Sequence, residues 1–100
     1  MLRVGGRRIP LDEITYLEIS GRKTVIHTKE EQIEYAVPLS KLKEGFQQDG
    51  FCLSHFSYLV NLRHVARVER DTLTLDTGES IPVSRRYYPD FMVRYVESLK

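Results

Sequence analysis

Residues 14 to 20, Ile-Thr-Tyr-Leu-Glu-Ile-Ser, are rich in β-branched and aromatic types and predict a strand. Gly21-Arg22-Lys23 then supplies a turn into Thr24-Val-Ile-His-Thr28, so this stretch reads as a hairpin. Lys29-Glu30-Glu31 makes a second turn, and the polar/apolar alternation of Gln32 to Val37 suits a half-buried third strand. Beyond Pro38 the period changes. Leu39, Leu42 and Phe46 recur at helical spacing, with Ser40 as a candidate cap and Gly50 as punctuation.

Phe51 to Ser54 and Tyr58 to Val60 read as extended pieces, and Val65 to Glu69 as a further strand. Thr72-Leu-Thr-Leu75 pairs naturally with Ser80-Ile-Pro-Val83 across Asp76-Thr77-Gly78-Glu79. At the end, Tyr88, Phe91, Met92, Tyr95, Val96 and Leu99 form a helical stripe, with Pro89 tolerated only in its first turn. The order is strands, helix, strands, helix, without a βαβ rhythm. It predicts mostly antiparallel β structure with two short helices.

Composition narrows the class. A chain of 100 residues, with no repeat or linker-like tract, is expected to be one domain over residues 1–100. With 41% hydrophobic and 29% charged residues it is too apolar and too evenly mixed to be disordered. No apolar run approaches a membrane span, and the start MLRVGGRRIP lacks the apolar region of a signal peptide. The single cysteine, Cys52, excludes an internal disulfide and fits a small buried thiol in a cytoplasmic protein.

The net charge of +1 is a weak pointer to an anionic partner. Distribution says more. Residues 30 to 50 hold five acids (Glu30, Glu31, Glu34, Glu44, Asp49) against two bases (Lys41, Lys43). Arg63, Arg67 and Arg70 follow in a basic segment, and Arg22-Lys23 and Arg85-Arg86 have no acid immediately beside them. The positive charge is local, and the acidic stretch is expected to face away from any polyanion.

Enzyme chemistry finds no foothold in the sequence. His27, His55 and His64 lack metal-ligand spacing, and Cys52 with His55 makes only a lone pair. Gly5-Gly6 opens no helix after a strand, so it reads as a turn rather than a phosphate loop. Ser84 lacks a glycine elbow, and Asp76-Thr77-Gly78 is accounted for as a hairpin turn. No catalytic residue, metal or cofactor is expected.

The phrase His55-Phe-Ser-Tyr-Leu-Val-Asn61, followed by Ile81-Pro-Val-Ser-Arg-Arg86, resembles the LytTR DNA-binding family. Ile14-Thr-Tyr-Leu-Glu18 with its polar turn, and Val37-Pro-Leu-Ser-Lys-Leu42, extend the resemblance over nearly the whole chain in the right order. It implies an elongated arrangement of small antiparallel sheets with two short helices at the margin, which presents loops to double-stranded DNA for transcriptional regulation. It also implies a second copy on adjacent repeats, and a receiver or sensor domain in the full-length protein. Carried over by position, the DNA-facing residues are Arg22 and Lys23, His55, Phe56 and Ser57, and Ser84, Arg85, Arg86 and Tyr87.

One departure stands out. Where the family usually has Arg after the His, this chain has Phe56, which cannot form a bidentate pair with guanine. Its ring either contacts a thymine methyl or the DNA backbone, or folds into the core. Arg85 and Arg86 are expected to begin the closing helix, where consecutive side chains diverge by about 100°. On that basis Arg86 is favoured for base readout and Arg85 for phosphate or a surface ion pair. Ser84 is a candidate helix cap, and His55 either donates to DNA or is a satisfied structural histidine. Asn61 is expected to bond backbone groups and Tyr58 to pack. A second function stays open, that of a β-rich protein-interaction module without DNA affinity, suggested by Phe56 and the near-zero net charge.

Overall fold

In the computed structural model, which describes residues 1–100, a hairpin of β1 (Leu2–Val4) and β2 (Arg7–Ile9) leads through a 3-10 turn at Leu11–Glu13 into β3 (Ile14–Ser20). Strands β4 (Lys23–Thr28) and β5 (Gln32–Tyr35) and helix α1 (Leu39–Gln48) follow. Next come β6 (Phe51–His55) and β7 (Tyr58–Asn61), a second 3-10 turn at Leu62–His64, β8 (Val65–Val68), β9 (Thr72–Leu75) and β10 (Ser80–Pro82). Helix α2 (Tyr88–Ser98) closes the chain.

All pairing is antiparallel. The central sheet has the order β5-β4-β3-β7-β6, a second has β10-β9-β8, and β1-β2 stands apart as a ribbon. The principal extents of 37 × 25 × 24 Å make the molecule longer along one axis. No helix is long and apolar enough to cross a membrane.

The central sheet is covered on both faces, which explains why Ile14, Thr15, Tyr16 and Leu17 are buried in an unbroken run. Side chains alternate across a strand, so neighbours enter different cores. Leu17, Phe51, Leu53 and Leu59 pack with Leu39 and Phe46 of α1 and with Ile9 of the ribbon. Tyr16, Cys52 and Val60 pack on the other side with Leu73, Leu75, Ile81 and Phe91 of α2. The rings of Phe46 and Phe51 meet edge to face at 5.0 Å, anchoring α1 to β6.

Polar groups tie the layers together. Asn61, buried, donates from Nδ2 to the carbonyls of Ile14 at 2.9 Å and Leu11 at 3.3 Å, while its Oδ1 accepts from the Arg63 amide at 3.1 Å. The expected structural role of Asn61 is the observed one, and Tyr58 packs half-buried against the core as anticipated. The Tyr16 ring stacks on His27 at 4.0 Å, and its hydroxyl donates to Glu79 Oε2 at 3.2 Å, fastening the β9–β10 hairpin to the central sheet. His64 bridges the Asp76 carboxylate at 2.9 Å and the Asp12 carbonyl at 2.6 Å.

Several boundaries differ from the sequence reading. The third strand ends at Tyr35 rather than Val37, since the chain must turn before Pro38, which occupies the N-cap of α1. Ser40 therefore lies inside α1 and caps nothing. The β1–β2 ribbon was not anticipated beyond its Gly5-Gly6 turn; its strands are three residues each, too short to show a period.

Candidate nucleic-acid interface

Three turns carry the sequence-predicted site residues, and strand pairing brings them to one end of the central sheet. Gly21, at φ +64°, adopts the left-handed conformation that the tight β3–β4 turn needs, and this places Arg22 beyond the end of β3 and Lys23 opposite its last residue, Ser20. Because Glu18 pairs with Tyr58, the β6–β7 turn at Phe56-Ser57 lies beside that end, and the Ile19 amide donates to the Ser57 carbonyl at 3.0 Å. The third turn, Ser84 to Tyr87, is bound to β6 by the Ser84 amide, which donates to the Ser54 carbonyl at 2.8 Å. Ser54 Oγ adds a bond to the Pro82 carbonyl at 3.0 Å.

Within this frame His55 is oriented by its own turn. Its Nδ1 accepts from the Ser57 amide at 3.0 Å, and its ring meets Tyr58 edge to face at 5.5 Å. With Nδ1 as the acceptor, Nε2 carries the proton of the neutral ring and faces no acceptor in the chain. His55 thus serves as a structural histidine while keeping a free donor.

Phe56 is 68% exposed, which excludes the alternative in which its ring joins the core. It lines a small cleft of about 70 Å³ together with Ile19, Leu39, Leu53, Tyr87 and Lys43. Lys43 escaped the sequence reading because it falls in a stretch dominated by acids. Only the packing of α1 on β6 carries it to this end of the molecule.

The closing helix begins later than expected. Ser84 to Tyr87 form a turn, α2 starts at Tyr88 with Tyr87 as its N-cap, and no side chain caps it. Ser84 instead receives the Tyr87 and Tyr88 amides on its main-chain carbonyl, at 3.1 and 3.0 Å. Its Oγ is the one buried side-chain oxygen or nitrogen without a partner. The 100° helical divergence of Arg85 and Arg86 therefore does not apply, yet the two still part. The Arg86 guanidinium lies over the Tyr87 ring at 5.7 Å, whereas Arg85 lines a separate cavity beside Tyr88. Both are exposed, and neither is ion-paired within the chain.

Arg22 is likewise exposed and unpaired, while Lys23 Nζ stands 3.9 Å from Glu34 Oε2. The acidic stretch is thus not wholly remote from the basic end. At the opposite end of β4, Glu31 is held by Arg7 at 2.7 Å, and this hydrogen bond lowers the Glu31 pKa below its ordinary value.

What this end offers a ligand is exposed guanidinium and amine groups, a free imidazole donor and one apolar ring, all held by main-chain bonds rather than by flexible loops. That set suits a polyanion with readable edges. The model of the LytTr DNA-binding domain matches residues 6–95. The chain belongs to the LytTr DNA-binding domain family. Among solved structures, this LytTr chain is similar to the LytTr DNA-binding domain of a protein described as a methyl-accepting/DNA response regulator from Bacillus cereus. The TM-score is 0.79 at 27% identity, covering 86% of this chain and 84% of that one. A search of curated proteins finds no match. Membership makes this a DNA-binding domain of transcription regulation. The mostly β architecture of small antiparallel sheets with two helices is that of the LytTr neighbour.

Proposed function

We propose that this LytTr domain reads specific duplex DNA with the three turns at the end of its central sheet, engaging successive major grooves. Arg86 makes the base contact, since an Arg fork matches the O6 and N7 acceptors of guanine. Arg85 holds phosphate, on a turn that Ser84, with its hydroxyl buried, fixes through its main chain; His55 and Ser57 contact the duplex between, and Arg22 and Lys23 engage it at the far side of the surface. Phe56 and Tyr87 supply the apolar contact surface.

The observation that carries this reading is the pair of main-chain bonds, Ile19 to Ser57 and Ser84 to Ser54, which join all three turns into one framework. Preorganised contacts of this kind lose little conformational freedom on binding. Two copies on adjacent repeats, with a receiver or sensor domain elsewhere in the polypeptide supplying the signal, complete the proposal.

Hydroxyl-radical footprinting on a duplex selected for binding tests it. Each bound copy should protect patches about 10 bp apart, one helical turn, and replacing Arg22 and Lys23 together by Ala should remove one patch and leave the other. A single patch narrower than a turn, unchanged by that double substitution, contradicts the reading.

A further inference from the structure

A cavity of about 660 Å³ borders this end of the molecule and is lined by Arg70, Asp71, Val83, Arg85, Tyr88 and Pro89. It joins the β8–β9 turn to the segment that follows β10. Two main-chain bonds fix that junction: the Glu69 amide donates to the Thr72 carbonyl at 2.8 Å and closes the turn, and the Val83 amide donates to the Asp71 carbonyl at 2.9 Å. The residue bearing one guanidinium is thereby locked next to the strand end that leads, two residues on, to the other.

Local charge pairing leaves Arg70 free. Glu69, its neighbour in sequence, is taken by Arg67 at 3.4 Å, and no acid of the chain pairs with Arg70 or Arg85. Asp71 contributes one negative charge to the same cavity. The two arginines outnumber it, so a singly charged anion is attracted there.

We infer that Arg70 and Arg85 together clamp a backbone phosphate of the duplex, making the β8–β9 turn a fourth DNA-contacting element. This rests on the proposed DNA-reading surface and extends it past Arg86. Arg70 adds affinity without sequence information, because a phosphate is the same at every base pair.

The test begins with selection of a preferred duplex by the unaltered chain, then measures Kd for that duplex and for an unrelated one across a salt series. With Arg70→Ala, the slope of log K against log salt should become shallower by about 0.9, the value of one phosphate contact. Both duplexes should be weakened by the same factor, and the selected motif should be unchanged. Arg70→Lys should retain the slope, and Arg63→Ala, which removes a comparable unpaired charge outside the cavity, should behave as the unaltered chain. Equal Kd and slope for Arg70→Ala and the unaltered chain overturn the clamp while leaving the reading surface intact. Failure of the unaltered chain to select any duplex removes the surface itself, and the clamp with it.

Discussion

The Ser84 amide donates to the Ser54 carbonyl at 2.8 Å, and this bond connects the Ser-Arg-Arg turn to the strand that delivers His55. The Ser54 side chain reinforces it by donating to the Pro82 carbonyl at 3.0 Å, so one residue grips the third turn from both its backbone and its hydroxyl. Ser54→Ala should lower unfolding free energy by about 1 kcal/mol, the usual net value of such a bond. It should also weaken DNA binding although residue 54 touches no DNA. Urea denaturation and a binding titration check the two halves.

Asn61 is the other junction. Its amide and carbonyl make three bonds to main-chain groups of the 3-10 turns and β3, and it is 2% exposed. Asn61→Ala leaves buried acceptors without donors, which costs about 1 to 3 kcal/mol for each group that water cannot reach. A fall of about 2 to 4 kcal/mol in denaturant unfolding is expected. A change below 0.5 kcal/mol, the size of an ordinary surface substitution, contradicts this role.

Phe56 gives the opposite pattern. An exposed ring outside both cores adds little to folding, so Phe56→Ala should shift stability by less than about 0.5 kcal/mol. Binding to the preferred duplex should nonetheless weaken. Thermal unfolding combined with a duplex titration separates the two effects, and loss of stability with unaltered binding contradicts the placement.

Alkaline pH should destabilise the fold through two buried acids. Burial pushes the Cys52 thiol from 9.0 up to about 11, with Asp90 adding to the effect and Arg94 opposing it. Burial, Glu79 and Glu18 raise the Tyr16 phenol above its ordinary 10.0. Both folded-state values lie above those of the unfolded chain, so the stability they contribute is complete below pH 9 and declines as pH rises. For Cys52 alone the loss between pH 9 and 11 is about 2 to 3 kcal/mol. Urea unfolding at pH 8, 9.5 and 11 should show this decline, and Cys52→Ala should flatten part of it.

Much of the fold was legible because the sequence repeats its periods over long enough stretches. Tyr88 to Leu99 and Leu39 to Phe46 show a helical stripe, and Ile14 to Thr28 shows two strands about a glycine turn. The three-residue strands of the N-terminal ribbon carry no such signal. The late start of α2 was hidden for another reason. Tyr87 and Tyr88 close a turn onto the Ser84 carbonyl, a main-chain bond that no side chain announces.

The candidate site was legible through motif phrases, since His55, Ser57, Arg85 and Arg86 sit in runs whose resemblance spans the chain. The places of Lys43 and Arg70 were not, because only tertiary packing moves them beside Phe56 and Arg85. The exposed position of Phe56 was equally beyond the alternation of its segment, which fits a ring on either side of the turn.

Whether these turns read sequence is decided by selecting bound duplexes from a random-sequence pool at near-physiological salt, in parallel with Arg86→Ala. One motif should be enriched by the unaltered chain, with a relaxed preference at one base pair for the variant, worth about 1 to 3 kcal/mol of discrimination. A folded chain that enriches no motif, and holds all duplexes only weakly and in a salt-sensitive way, contradicts sequence reading by these turns.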